Sequence, residues 1–194
     1  MDVRVETWFP VSIFVGLDVV DRQYNNVLHQ RALEIKDSVV SGGQDWYGGT
    51  YTTHNRYDLR EDPVFSFLID LVTEQVNRFA GAHNSNSTYT CGTCWLNIAE
   101  AGNYQEFHTH ENSIFSAVYY VSAPSDSGNI IFCDPKEPDM FPLRNIVTQN
   151  QLSLKRVSYP AVDLSLLIFR SYLSHMVEPG QNQQPRISIS MNFI

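Results

Sequence analysis

The pattern of the chain changes near Thr88, and this change constrains the fold more than any other feature. After it, short runs rich in β-branched and aromatic residues alternate with turn residues, as in a series of short strands. The predicted strands are 88–99, 104–108, 114–122, 129–133, 164–170 and 186–193. Many short strands separated by turns favour a closed or layered β-structure.

The part before Thr88 reads differently, as one extended segment and two helices. Residues 7–17 are extended and contain Pro10, which is typical of an edge strand. Residues 21–40 space their apolar side chains with a helical period, and Asp18 is the predicted cap. Asp62 followed by Pro63 opens a second helix in the preferred order of cap and proline. The expected fold is α+β and mainly β, with two N-terminal helices supporting one face of the strands.

The length and composition narrow both the domain count and the function classes. A chain of 194 residues suits one domain over 1–194, with 1–85 as the helical buttress plus edge strand and 86–194 as the β core. The formal net charge of −8 argues against electrostatic binding to nucleic acid or to an anionic membrane. The N-terminal residues have no basic region or small-residue cleavage site, and no apolar stretch is long enough for a membrane span. We therefore expect a cytoplasmic protein.

Three cysteines are present, Cys91, Cys94 and Cys133. An odd and low number is a poor basis for disulfides. Cys91 and Cys94 have the spacing of half a zinc site, but a structural zinc site needs four ligands and no second pair exists. We interpret all three as ordinary strand or core residues in a reducing compartment.

The last predicted strand has two faces of different chemistry. Because side chains alternate along a strand, one face carries only apolar residues and can pack in the core. The other face is polar and consists of Arg186, Ser188, Ser190 and Asn192. This row faces either water or a polar cavity inside the fold.

Three histidines in the β half are candidates for a metal site. His108 and His110 are two residues apart and would point the same way on a strand. His175 follows the apolar run 164–169. Each of these is also compatible with a solvated or core histidine, so the prediction depends on their joint placement. Non-haem iron chemistry needs ligands on one side of the metal, and two from one strand with a third from a distant strand provide that. Arg186 and Ser188 suit the far carboxylate of a 2-oxo acid.

In this order the motifs resemble the 2-oxoglutarate–Fe(II) oxygenase superfamily, in particular a small oxygenase family found in bacteria and tailed phages, including cyanophages. The resemblance covers nearly the whole chain. Its elements are Trp95-Leu96-Asn97, Gly102, His108-Thr109-His110, the strand 116–121, the Gly128 to Pro135 element, His175, and Arg186-Ile187-Ser188 with Asn192.

The resemblance implies a set of site residues inside a double-stranded β-helix, a jelly roll of the cupin-like kind. His108 and His175 would bind Fe(II), with His110 at the position where the superfamily usually has a carboxylate. Glu106, Glu111 and Asp134 are the carboxylates that could replace His110. Arg186 and Ser188 would bind 2-oxoglutarate, helped by Asn97 and one tyrosine out of Tyr104, Tyr119 and Tyr120, of which we choose Tyr119.

The implied reaction is the hydroxylation of a peptidyl (for example prolyl) or small-molecule substrate with release of succinate and CO2. Its cofactors would be Fe(II) and 2-oxoglutarate, with ascorbate as a stimulant. O2 and an unknown prime substrate would be its partners, and a homodimer is compatible with the sequence. The site would act in the host cytoplasm if a phage encodes the protein. Two alternatives stay open: a three-histidine cupin-type dioxygenase or isomerase that uses no 2-oxoglutarate, and a non-catalytic jelly-roll binding or virion protein. Residues 41–54 and 136–160 are candidate lids because they are long connections.

Overall fold

The computed structural model describes residues 1–43, 47–136 and 144–194 of the chain. In this part the two α-helices are α1 (Arg22–Ser38) and α2 (Ser66–Ala82). The strands are β1 (Ile13–Gly16), β2 (Tyr51–Thr52), β3 (Cys91–Ala99), β4 (Gln105–His108), β5 (Phe115–Ser122), β6 (Ile130–Cys133), β7 (Arg156–Tyr159), β8 (Leu166–Arg170), β9 (His175–Val177) and β10 (Arg186–Phe193).

The strands form two antiparallel sheets. The larger sheet has six strands in the order β1-β8-β5-β10-β3-β2, and the smaller has four in the order β4-β9-β6-β7. The predicted fold, mainly β with two N-terminal helices, is confirmed. The edge position predicted for the first strand is also confirmed, although β1 is only four residues long.

The two hydrophobic clusters lie on opposite faces of the larger sheet. One cluster joins the buried sides of both helices, such as Leu28 and Val72, to residues of the sheet such as Ile189. The other joins Tyr120 of the larger sheet to Phe132 of the smaller one. The larger sheet is therefore a central layer, with the helices on one side and the smaller sheet on the other.

Strand β10 divides its side chains between these two layers as predicted. Ile187, Ile189, Met191 and Phe193 belong to the cluster on the helix side. The polar row of Arg186, Ser188, Ser190 and Asn192 points the other way, and Arg186 and Ser188 are each only 4% exposed. The polar row consequently faces the interior between the sheets and not bulk water.

The structure corrects the predicted start of α1. Asp21 caps this helix by accepting a hydrogen bond from the backbone N–H of Tyr24 at 2.8 Å. Asp18, the predicted cap, lies one turn earlier with a φ of 49°. The prediction for Asp62 and Pro63 is confirmed, because Asp62 caps a short 3₁₀ turn, Pro63–Phe65, that leads into α2.

Three short strands were not predicted from the sequence: β2, β7 and β9. The first lies in the candidate lid 41–54 and the second in the candidate lid 136–160. Parts of both candidate lids, 44–46 and 137–143, lie outside the described residues.

The cysteines agree with the interpretation as strand and core residues. All three are free thiols, and Cys94 is buried in the cluster on the helix side. Among the described residues, neither helix combines the length and the apolar character that crossing a membrane requires.

We expect Asp21→Ala to lower the free energy of unfolding by about 1 kcal/mol, because the N–H of Tyr24 loses its acceptor. Asp18→Gly is the control, since glycine tolerates the positive φ and no described cap is lost. Urea denaturation of both variants measures the difference. A loss in Asp18→Gly as large as that in Asp21→Ala would contradict the assignment of the cap.

Candidate active site

The pairing of two short strands brings three histidines together. His108, the last residue of β4, lies directly opposite His175, the first residue of β9. His110 follows two residues after β4, and its backbone N–H donates to the carbonyl of Ser171 at 3.0 Å. One potential ligand atom from each imidazole lies within 4.8 Å of the others. Residues 67 positions apart in sequence (175 minus 108) thus form one cluster.

Each of the three imidazoles has an oxygen atom next to its Nδ1. His108 Nδ1 is 2.7 Å from the carbonyl of Glu106, and His175 Nδ1 is 2.9 Å from the carbonyl of Leu173. His110 Nδ1 contacts Oδ1 of Asn192. Since carbonyl oxygens only accept, each Nδ1 carries the proton and donates it. In a neutral ring with this tautomer Nε2 keeps a lone pair, which is the form in which an imidazole binds a metal.

Burial keeps two of these imidazoles uncharged. It lowers the pKa of His175 to about 3 and the pKa of His110 to about 4, with the neighbouring His108 as a smaller cause in the same direction. Both side chains are therefore neutral near pH 7. Neutral imidazole is the ligating form, so these two nitrogens need lose no proton before a metal binds.

The donor set of the cluster fits a divalent transition metal. Imidazole nitrogens suit iron, zinc and copper, whereas magnesium and calcium prefer oxygen. Within the described ranges, no carboxylate belongs to the cluster. Glu106 and Glu111 line the same cavity outside it, and Asp134 accepts a hydrogen bond from the backbone N–H of Lys136. The geometry thus favours His110 over these three carboxylates as the third member.

A buried guanidinium faces the same cavity. Arg186 donates from Nη1 to the carbonyl of Gly128 at 3.0 Å, while its Nε is buried without a hydrogen-bond partner. No ion pair involves Arg186 among the described residues, and its side chain remains charged in proteins. A buried cation without a counter-charge is unfavourable, so this end of the cavity is suited to an anion.

Two further predicted residues lie beside Arg186. Ser188 is on the same face of β10 and is opposite Asn97 of β3. Asn97 donates to Oγ of Ser190 at 3.0 Å, and its Oδ1 is buried without a partner. Together with the histidines, these residues line a cavity of about 400 Å³, a volume that suits a small ligand.

The structure contradicts the predicted contact of Tyr119 with the cosubstrate. Its side chain lies in the cluster on the helix side, where its hydroxyl donates to Oδ1 of Asn25 at 2.8 Å. Tyr120 lines the cavity instead, because neighbouring side chains on β5 point to opposite sides. Burial raises the pKa of Tyr120, and the positive charge of Arg186 opposes this shift, which indicates that the two groups are close.

The cavity also contains residues to which the sequence analysis gave no role. Trp95 and His54 line it, with their rings 5.0 Å apart. Trp95 has a sequence signal, since it lies two residues before Asn97 and therefore on the same face of β3. His54 follows β2, which was not predicted, and no sequence pattern pointed to it.

Comparison with protein families identifies the class to which this site belongs. Residues 93–192 match the model of a family described as "Putative 2OG-Fe(II) oxygenase", where 2OG is 2-oxoglutarate. The match spans more than half of the 194 residues, and the chain belongs to this family. No curated protein sequence matches significantly.

Solved structures with a similar fold include prolyl hydroxylases and an epimerase that depends on α-ketoglutarate, which is another name for 2-oxoglutarate. The Pseudomonas putida prolyl-4-hydroxylase has a TM-score of 0.66 at 12% identity, over 94% of this chain and 92% of that one. The epimerase SnoN from nogalamycin biosynthesis has a TM-score of 0.70 at 14% identity, over 95% and 78%. The viral collagen prolyl hydroxylase of Paramecium Bursaria Chlorella virus-1 has a TM-score of 0.61 at 11% identity, over 93% and 94%. At these identities the likeness establishes the fold.

The protein is therefore an oxidoreductase, a 2-oxoglutarate–Fe(II) oxygenase, and its cofactors are Fe(II) and 2-oxoglutarate. The resemblance of the sequence to the 2-oxoglutarate–Fe(II) oxygenases is confirmed. Family membership favours this enzyme over both alternatives, the three-histidine enzyme without 2-oxoglutarate and the non-catalytic jelly roll.

The buried neutral histidines predict a pH dependence of the metal-free protein. In the unfolded chain these imidazoles take up a proton near pH 6.5, but in the folded chain His110 and His175 do so only at about 4 and 3. The unfolded state thus binds more protons below pH 6.5, so stability falls as the pH decreases from 6.5 towards 4.

We expect His175→Gln to reduce this loss of unfolding free energy by on the order of 2 kcal/mol, as measured by urea denaturation at several pH values. Asn26→Gln, an exposed change on α1 that alters no titratable group, should leave the slope of the wild type intact. Equal slopes in wild type and His175→Gln would contradict the burial of a neutral imidazole at this position.

Proposed function

We propose that this oxygenase hydroxylates a peptidyl (for example prolyl) or small-molecule substrate, with His108, His110 and His175 as the iron ligands. The proposal rests on one observation: two complementary groups of side chains line the same cavity. The histidine cluster offers three imidazole nitrogens, and Arg186 offers a buried cation without an ion-pair partner in the described chain. A metal bound to the histidines and a dianion bound to Arg186 would satisfy both groups.

The proposed ligand roles follow from the hydrogen bonds of the imidazoles. Each Nδ1–H is held by an oxygen, which fixes the ring and directs Nε2 into the cluster. Three ligands from one side of a metal leave positions open for a cosubstrate and O2. Bound Fe(II) would supply the redox chemistry, and the chain supplies geometry, charge and a site that excludes water.

The proposed 2-oxoglutarate site lies at the other end of the cavity. Arg186 would hold the far carboxylate of 2-oxoglutarate with its planar pair of donors. The hydroxyls of Ser188 and Tyr120 face the same cavity and can donate to this carboxylate. Asn97 lines the space between this end and Ser190, so it would contact the body of the cosubstrate.

The reaction is balanced by one molecule each of O2, 2-oxoglutarate and substrate. One oxygen atom enters the succinate formed when 2-oxoglutarate loses CO2, and the other becomes the hydroxyl group of the product. Within this scheme, Arg186 keeps the carboxylate that stays in succinate away from the metal end. The three imidazoles hold their own protons on Nδ1, so they are positioned to bind metal and not to donate protons to substrate.

The substrate class is supported by the neighbours and by charge. The structural neighbours include prolyl hydroxylases, one of them in complex with a peptide fragment, and SnoN in complex with nogalamycin RO. Both a peptidyl and a small-molecule substrate therefore have a precedent on this fold. Glu106 and Glu111 line the cavity and the net charge is −8, which disfavours nucleic acid.

We also propose that the two sheets are the walls of a double-stranded β-helix in a single domain over 1–194. The strands from β3 to β10 are distributed over the two sheets, with β3, β5, β8 and β10 in the larger and β4, β6, β7 and β9 in the smaller. The chain thus passes repeatedly between the two sheets, and the polar face of β10 lines the cavity between them. Residues 1–85 would buttress the β core of 86–194, since their helices share one hydrophobic cluster with it.

Arg186→Gln tests the proposal, because it removes the charge but keeps a polar side chain. We expect kcat/KM for 2-oxoglutarate to fall about 100-fold, the scale on which truncating one partner of a buried charge pair weakens binding. Succinate formation is measured with pools of peptides, nucleotides and metabolites as substrates. Arg156→Gln, an exposed change outside the cavity, is the matched control.

Metal binding should be unchanged in Arg186→Gln, which distinguishes loss of the cosubstrate site from loss of the iron site. Wild-type turnover of 2-oxoglutarate by Arg186→Gln would contradict the assigned role. Succinate formation that responds only to nucleotides would contradict the proposed substrate class.

A further inference from the structure

The three histidines differ in the hydrogen-bond acceptor of their Nδ1–H groups. His108 and His175 donate from Nδ1 to backbone carbonyls two residues earlier on the chain, so their orientation is set locally. His110 depends on a side chain, Asn192, which lies 82 residues away at the far end of β10. A substitution can remove this partner without altering the backbone, whereas the other two partners cannot be removed in this way.

Asn192 is itself held by a chain of buried hydroxyls. Ser116 Oγ donates to Oδ1 of Asn192 at 2.9 Å, and Ser116 Oγ is also 2.8 Å from Oγ of Ser171. Ser116 and Ser171 are 1% and 0% exposed. Since the proton of Ser116 goes to Asn192, Ser171 donates to Ser116. The hydrogen bonds therefore all run towards one atom, the carbonyl oxygen of the Asn192 amide.

The direction of the amide decides which nitrogen of His110 is available. With its oxygen towards His110, Asn192 accepts the Nδ1–H and leaves Nε2 unprotonated. With its NH2 group there, it would donate to Nδ1, and the neutral ring would carry its proton on Nε2. In that second form His110 could not bind a metal through Nε2.

We propose that Asn192 is a positioning residue of the metal centre: it fixes His110 as the Nδ1–H tautomer, and the Ser116–Ser171 pair fixes the amide of Asn192. This inference rests on the proposed iron site. Partners of this kind hold ligands in the correct tautomer and orientation, and their loss typically weakens metal binding by about 10- to 100-fold. Asn192 and Arg186 lie on the same polar face of β10, so this one face carries residues of both the proposed metal site and the proposed cosubstrate site.

The tautomer can be read directly in the metal-free wild type. ¹⁵N NMR of the histidine rings distinguishes protonation at Nδ1 from protonation at Nε2. We expect His110 in the Nδ1–H form, and we expect the Nε2–H form to increase in Asn192→Leu. A wild-type His110 protonated at Nε2 would overturn the inference, and this measurement needs no variant to fold.

Metal affinity is the second readout, with Co(II) as the spectroscopic probe. We expect Asn192→Leu to weaken Co(II) binding about 10- to 100-fold, and Asn192→Asp, which keeps the acceptor, to bind at least as tightly as wild type. Ser116→Ala should have a smaller effect of the same sign as Asn192→Leu. The matched control is Asn77→Leu, because Asn77 bonds to Thr73 and Tyr89 at α2, away from the cavity.

The outcomes separate this inference from the proposed function. Equal Co(II) affinity in wild type and Asn192→Leu, or weakening in Asn192→Asp as severe as in Asn192→Leu, would overturn the role of Asn192 alone. Co(II) binding by wild type that is unchanged in His175→Ala would overturn the three-histidine iron site, and the inference with it.

Discussion

The fold is organised around a polar strand face that lies between two sheets. β10 lies between β3 and β5 in the larger sheet, and its apolar face packs in the cluster on the helix side. Its polar face must therefore point into the space between the two sheets. This places the charge of Arg186 in the interior, where an unpaired cation costs several kcal/mol by continuum reasoning. Arg186 lines the cavity, and an anion bound there would offset this cost.

The histidine cluster adds a second source of positive charge once a metal is bound. The usual carboxylate of the superfamily would cancel one charge of Fe(II), whereas His110 as the proposed ligand would cancel none. In the proposed site, a dianion such as 2-oxoglutarate would meet a divalent ion at one end and a guanidinium at the other. Because each site attracts the same ligand, the metal and the cosubstrate should strengthen each other's binding. The neutral imidazoles and the buried arginine are thus parts of one electrostatic arrangement.

The sequence predicted those parts that depend on a local period. The two-residue alternation along β10 identified the polar face. The two-residue spacing of His108 and His110 predicted a shared direction on one strand; the two imidazoles do lie together, although His110 is beyond the end of β4. It could not distinguish Tyr119 from Tyr120, because β5 is buried on both sides and its apolar run has no period from which to read a face. The cap of α1 was predicted three residues too early, at Asp18 and not at Asp21, because the backbone conformation that decides the cap cannot be read from the sequence.

Contacts between distant segments could not be predicted from the sequence. β9 has only three residues and no strand pattern, yet its register with β4 is what sets His175 opposite His108. The hydrogen bond between His110 and Asn192 likewise depends on how β10 lies relative to the end of β4. His54 reaches the cavity from a connection whose short strand, β2, carries too few residues to show a pattern.

The central claim is that one cavity holds Fe(II) on three imidazoles and 2-oxoglutarate on Arg186 at the same time. Anaerobic titration of the protein with Fe(II) and then 2-oxoglutarate, followed by visible absorption, tests this directly. The account predicts a metal-to-ligand charge-transfer band that requires both additions and is absent in His108→Ala. The absence of this band in the wild type, with no more iron retained than in His108→Ala, would contradict it.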